Sequence, residues 1–313
     1  MKRFLLGAFL VAVQTGGAQN VVADSLLQRG SLERAESAYY AAARVRPHDP
    51  LARWGLGRYL AGRGAPKVAA TLLEEALRFG GDSALIGADL APLYLTLWDY
   101  HALISLPTRV VSVGDRERAR YLESHPTRLV APDSVMTILY RDASDTGYLG
   151  RLPIRVNGRI VEALIAPGMT GLVLSDSTAT ATRVRRFTAR AAQRGGSAVV
   201  PAAADSIGIG RLAFVNFPVS VAATRGPATI GLDVIGKLAP TFDARAERMT
   251  VRISGTIQPP VPGDRFSTWS TPSELRVLQA GGWLPIVNPQ LASMLRQRRW
   301  TLDAKRGQVV IER

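Results

Sequence analysis

Proton transfer, acyl transfer and metal chemistry draw on carboxylates, imidazoles, thiols and activated hydroxyls. Cysteine is absent from the 313 residues, which excludes disulfides, thiol catalysis and Cys-ligated metal. His48, His101 and His125 stand alone, and they do not form a spaced metal set. A Gly-x-Ser-x-Gly turn, the most recognisable carrier of a nucleophilic serine, does not occur. Gly208-Ile209-Gly210 lacks the third glycine and the helix of a dinucleotide site. A literal Asp145-Thr146-Gly147 follows Asp142-Ala143-Ser144 instead of an apolar strand, so it reads as a solvated turn with no partner to shift its pKa. What remains to be asked is whether two carboxylates share one proton, one drawing a proton from water and the other donating to a substrate carbonyl. That depends on the strands that would carry them.

The strands are legible from Leu152 to Ser175. Leu152, Ile154 and Val156 alternate as in a half-buried strand, and Asn157-Gly158 is a hairpin turn. The apolar run Ile160 to Ile165 follows, then the tight loop Ala166-Pro167-Gly168, then a third strand at Leu172-Val173-Leu174. Further on, Ser206 to Val221 reads as two strands about a turn at Gly210-Arg211. Ile230-Gly231-Leu232-Asp233 comes next, and Phe242-Asp243-Ala244-Arg245 leads into Met249-Thr250-Val251-Arg252. From Tyr148 onward the period is alternating, with frequent Gly and Pro, so this part is β.

This order resembles the retropepsin-like aspartic peptidases over Tyr148 to Arg252, and the Ile230 to Asp233 motif resembles their exported bacterial members. Leu164 and Ile165 match the family's apolar pair and Gly168 its glycine. Ala166 stands where the catalytic Asp belongs, Pro167 where a Thr or Ser belongs, and Met169 where a small residue belongs. The resemblance implies a mostly-β acid-protease barrel with a groove at Ala166, Gly168, Met169, Ile230 and Gly231. It also implies that Asp233 and Asp243 are structural. Ala166 can neither accept nor donate a proton, and Pro167 lacks both the bracing hydroxyl and an N–H. No catalytic residue is therefore expected. In the tail, Thr301-Leu302-Asp303-Ala304-Lys305 echoes Thr241-Phe242-Asp243-Ala244-Arg245, and Leu284 to Gln290 resembles the Leu164 to Gly168 loop with Asn288 in the Asp position. These echoes suggest a shortened second lobe; a coincidental helix-plus-hairpin tail is the alternative.

Upstream the period is helical and repeats. Gly30-Ser31-Leu32-Glu33-Arg34-Ala35 returns as Gly64-Ala65-Pro66-Lys67-Val68-Ala69, and Ala35/Ala69 and Ala42/Ala76 keep the same offset of 34 positions. The pattern resembles tetratricopeptide repeats, with a worn third copy around Ala84 to Leu106. The expected class is thus α+β multidomain: residues 1–18 a signal peptide, 19–106 helical repeats, 107–147 a linker, 148–255 the peptidase-like domain and 256–313 the tail. Lys2-Arg3, the apolar Phe4 to Val13 and the small Gly16-Gly17-Ala18 carry the signal-peptide reading, hence a periplasmic or secreted protein that does not span the membrane after cleavage.

Composition is ordinary for a globular chain at 47% hydrophobic and 20% charged. The formal net charge of +14 is almost all Arg, with no compact basic stripe interleaved with aromatics, so it reads as solvated faces and not as a nucleic-acid site. Metal and cofactor are not expected; protein or peptide partners are, along with a candidate homodimer. The function expected is a peptide-binding module without peptidase activity. The alternatives are an active peptidase using other residues, such as Asp145 or Asp176 in a dimer, and a structural envelope protein whose groove has collapsed around Met169.

Overall fold

The structure is a computed structural model describing residues 16–143, 146–187, 192–194, 197–223, 225–253, 261–271, 274–280 and 282–313. Most of the signal-peptide segment lies outside the described residues, as does Asp145. The first part is helical and the second mostly β, an α+β layout.

Six helices form three hairpins: α1 (Gly16–Gln28) with α2 (Leu32–Val45), α3 (Pro50–Gly62) with α4 (Pro66–Arg78), and α5 (Ser83–Leu97) with α6 (Tyr100–Ser105). Starts are set by local chemistry. Asp49 accepts from Leu51 N with Pro50 in the first turn, and Asp82 accepts from Ala84 N and Leu85 N. The buried face of α4 is Ala69, Ala70, Leu72, Leu73 and Ala76, the spacing of one helical stripe. Alanines in that stripe let neighbours close in, and Gly57 of α3 leaves room where a Cβ would sit 3.0 Å from Leu73.

The repeat is visible in the backbone. Gly30 (φ 75°), Gly64 (φ 82°) and Trp98 (φ 60°) are all left-handed, spaced by the same 34 positions, and each follows the first helix of its hairpin. In the third hairpin Trp98 holds the left-handed position that Gly30 and Gly64 hold in the first two.

All three turns dock on the β part. A Cβ on Gly30 would lie 2.6 Å from Leu278, and one on Gly64 would lie 1.9 Å from the Ala304 carbonyl oxygen. Trp98 packs edge-on against Phe214, with centroids 6.1 Å apart. Arg63 donates to the Thr268 and Gly307 carbonyls, and Trp283 Nε1 donates to Leu27 O at 2.7 Å.

Of residues 107–147, expected as a linker, the described ones through 143 supply a helix and two strands to the fold. Helix α7 (Val113–Ser124) lies against the barrel, where its buried Arg118 donates to Val219 O at 2.9 Å and pairs with Asp115 at 2.7 Å. Strand β1 (Arg128–Val130) and strand β2 (Val135–Leu139) then enter different sheets.

The remaining strands are β3 (Gly150–Val156), β4 (Arg159–Ala166), β5 (Leu172–Ser175), β6 (Arg185–Arg186), β7 (Ala192–Arg194), β8 (Ser197–Ile209), β9 (Leu212–Ala222) and β10 (Ala228–Gly231). They are followed by β11 (Thr241–Asp243), β12 (Arg248–Arg252), β13 (Asp264–Thr271), β14 (Glu274–Gln279), β15 (Gly282–Pro285), β16 (Trp300–Asp303) and β17 (Gln308–Ile311). Helix α8 (Asp176–Thr182) follows β5, α9 (Leu232–Ile235) follows β10 and α10 (Pro289–Gln297) follows β15.

One sheet runs β1-β9-β5-β10-β4-β3-β8-β6 with β7 on β8, and the other runs β15-β14-β13-β17-β16-β11-β12-β2. Asn157 and Gly158 are both left-handed, joining β3 to β4 with Val156 opposite Arg159. Gly210-Arg211 joins β8 to β9 with Ile209 opposite Leu212. Ile154, Ile165, Ile230, Phe214, Phe242 and Val309 lie in one core spanning both sheets.

The second sheet carries a local two-fold. Thr241 pairs with Thr301, their buried hydroxyls 2.7 Å apart, and Phe242 pairs with Trp300 while Leu302 N donates to Pro240 O. The equivalence continues outward. Asp243 accepts from Ala246 N and Asp303 from Arg306 N, while Glu247 and Gly307 are both left-handed. The tail's hairpin is therefore a second copy of β11–β12, and β16 of the same chain occupies the β11 edge that a second molecule would need in a homodimer built on this strand.

Candidate functional site

The loop that matters begins where β4 ends. Strand β10 runs parallel to β4, with Ile230 opposite Ile165 and Gly231 opposite Ala166, and pairs antiparallel with β5 on its other side. Ala166 to Gly171 thus leaves one strand and returns two strands away, crossing the end of β10. Met169 N donates to Ala166 O, closing the turn, and Gly231 N donates to Gly171 O at 2.7 Å.

Asp233 holds the loop from below. Its two carboxylate oxygens accept from Gly171 N at 2.9 and 3.1 Å. Burial pushes the Asp233 carboxyl up from its ordinary value, and the Gly171 N–H and the Lys237 ammonium pull it back down. Gly231 must be glycine, because a Cβ there would meet Met169 O at 2.3 Å and Asp233 Oδ1 at 2.4 Å. Asp233 thus acts as the clamp of the loop.

Lys237, one helical turn on, lies 4.1 Å over the Trp98 ring and donates to Thr96 O, so the segment that carries the loop's clamp is also tied to the helical repeats. Burial pulls its ammonium down to about 8, with Asp233 opposing.

Above the loop is an open cleft of about 450 Å³ lined by Thr146, Gly147, Tyr148, Ala166, Pro167, Gly168, Met169, Glu274, Leu275 and Val287. Ala166, Gly168 and Met169 all line this cleft, and Met169 is exposed at its wall. Ile230 and Gly231 are not in the groove. Both are buried in β10 beneath the loop, and they shape the groove without touching what enters it.

Asn288 does not occupy a second catalytic loop. It caps α10, with Oδ1 accepting from Gln290 N and Leu291 N, so Leu284 to Gln290 is a strand leading into a helix. Within the chain this strand-to-helix step resembles the β10–α9 step, not the β4–β5 loop. The short motif misled because apolar residues followed by a polar one and proline describe a helix entry as well as a loop.

The other candidates lie away from chemistry. Asp176 is an exposed helix-start residue paired with Arg186 at 2.8 Å. His48 packs on Phe79, His101 pairs with Glu123 at 2.9 Å, and His125 stacks on Tyr121. No group of three metal-ligating side chains occurs among the described residues.

Sequence reasoning missed most of the far wall, which comes from β14 and the residue before the α10 cap. Glu274 and Leu275 carry no local motif, and only the hairpin register brings them into one cleft with Ala166; Val287 comes from the Leu284 to Gln290 stretch that the sequence singled out, though not through Asn288. It also set Thr146-Gly147 aside with the Asp145 turn, whereas both line the cleft.

No family model matches this chain. No curated protein matches it either. Solved structures similar to parts of it include a retropepsin-like aspartic protease from Rickettsia conorii, at 16% identity over 40% of this chain and 91% of that one, with a TM-score of 0.29. The retroviral protease-like domain of Ddi1 from Leishmania major is similar at 17% identity over 37% and 89%, with a TM-score of 0.27. The helical part is similar to YrrB, a TPR protein with an unusual peptide-binding site, at 21% identity over 36% of this chain and 61% of that one, with a TM-score of 0.30.

Proposed function

We propose that this chain is an exported peptide-binding protein, with tetratricopeptide-like repeats set beside a retropepsin-like β frame whose cleft holds an extended segment without cleaving it. One observation carries the reading: the loop at the cleft floor presents Ala166 and Pro167, and the single carboxylate among the described lining residues is Glu274. A shared-proton pair needs two carboxylates in hydrogen-bond contact, and no second one stands opposite Glu274 in that lining. The cleft nevertheless stays open, with Leu275, Val287 and Met169 for side chains and loop backbone for main-chain pairing. The same contrast disfavours a structural role with a collapsed groove.

The test is to incubate the purified protein with a mixed peptide library at acid and at neutral pH, measuring both retention and cleavage. Retention of extended peptides with masses unchanged is the expected result. Cleavage blocked by a statine-type transition-state mimic would establish an active peptidase and end the proposal.

A further inference from the structure

Among the described lining residues the cleft has one charge, and its sign is opposite to that of the molecule. Glu274 alone of them carries a formal charge, in a chain of formal net charge +14. It opens β14, next to Leu275, and lines the same cleft as Met169 and Ala166. Oε2 accepts from Arg276 Nε at 2.5 Å, and among the described residues Oε1 has no partner. The Glu274 side chain is 29% exposed and that of Arg276, which is not in the lining, is 49% exposed. A carboxylate accepts through about four lone-pair sites, so one intrastrand guanidinium leaves it unsaturated. Tyr148 and Thr146 add hydroxyl groups, and the rest of the wall is apolar or backbone.

Resting on the peptide-binding reading above, we infer that Glu274 is a specificity residue selecting an Arg or Lys side chain in the bound segment, next to an apolar residue seated on Met169, Leu275 and Val287. Arg276 competes for the same carboxylate. Two electrostatic influences then point in opposite directions. The field of the whole protein draws anionic peptides, while the cleft's own charge draws cationic ones. At about 0.15 M salt the Debye length is about 8 Å, so the distributed charge is screened and the contact charge decides.

Calorimetric titration of the full chain at that salt, with one short apolar peptide bearing Arg, Gln or Glu at a single position, tests this. The Arg peptide is expected to bind about fivefold tighter than the Gln peptide, the size of a partly exposed charge pair, with the Glu peptide weakest. Glu274→Gln should abolish the difference between Arg and Gln. Arg276→Ala should widen it, because the internal competitor is gone; a surface strand position also makes this variant a control for folding. Equal binding of the Arg and Gln peptides, or an Arg preference that survives Glu274→Gln, overturns the inference and leaves the peptide-binding reading standing. Failure of every peptide to bind removes both.

Discussion

Asp233→Ala separates a residue that holds the cleft loop from one that merely fills space. The wild-type carboxylate accepts Gly171 N at 2.9 and 3.1 Å, a hydrogen bond to a charged group. Such bonds contribute about 1.5–3 kcal/mol, and the orphaned amide is partly buried, so little of that is recovered from water. Taking about 2–3 kcal/mol for local opening, the Gly171 amide should exchange about 30–150-fold faster in the variant. Asp233→Asn keeps an acceptor at the same place and loses only the charge assistance, about 1 kcal/mol, so its exchange should rise only about fivefold. The charge itself has a pH signature. Because burial raises the folded-state pKa above the ordinary 3.8, the unfolded chain releases this proton first and stability falls as pH rises beyond that value; the Asn variant lacks this slope. Amide-resolved hydrogen exchange by NMR reads the first effect and urea unfolding across acid pH the second. If Asp233→Ala leaves Gly171 protection within twofold of wild type, the clamp is not what positions the loop.

Two further outcomes follow from the junction between helices and barrel. Lys237 is held at about 8 against an ordinary 10.5, so the folded state gives up this proton first, and stability should rise as pH goes from about 8 to 10.5. Lys237→Met should flatten that limb in urea titrations, while Tyr59 and Tyr100, pushed up to about 12 by burial, should lower stability above about pH 10 in both proteins. Gly64→Ala forces a left-handed alanine whose Cβ lies 1.9 Å from Ala304 O, and should cost about 2–5 kcal/mol. The matched Gly80→Ala, at φ 86° with nothing within 4 Å, should cost only the conformational part, about 1–2 kcal/mol. Equal thermal shifts in the two glycine variants would mean that the Gly64 turn does not bear on the tail.

Local signals carried the elements well because they depend on neighbours in the chain. Asn157-Gly158 makes its hairpin through two left-handed residues, and the 34-position recurrence of Gly30 and Gly64 marks true turn positions, since side-chain-free residues recur where the backbone must be left-handed. That Ala166 and Pro167 carry no ionisable group was equally legible, because an absent functional group needs no geometry to establish. The echo of Thr241 to Arg245 in Thr301 to Lys305 pointed to a duplicated hairpin, but only pairing shows that the copies meet edge to edge at two threonines. Which β-hairpin residues share the cleft with Ala166 was decided by tertiary structure. Glu274 reaches the cleft through the register of β13 with β14 and of β13 with β17, and register is a long-range choice among pairings that local propensity leaves open. For the same reason Asn288 read as a loop residue and folded as a helix cap, and residues 107–147 read as a linker yet supplied a strand to each sheet. The chain by itself determined which groups exist; where the strands paired determined which of them face one another.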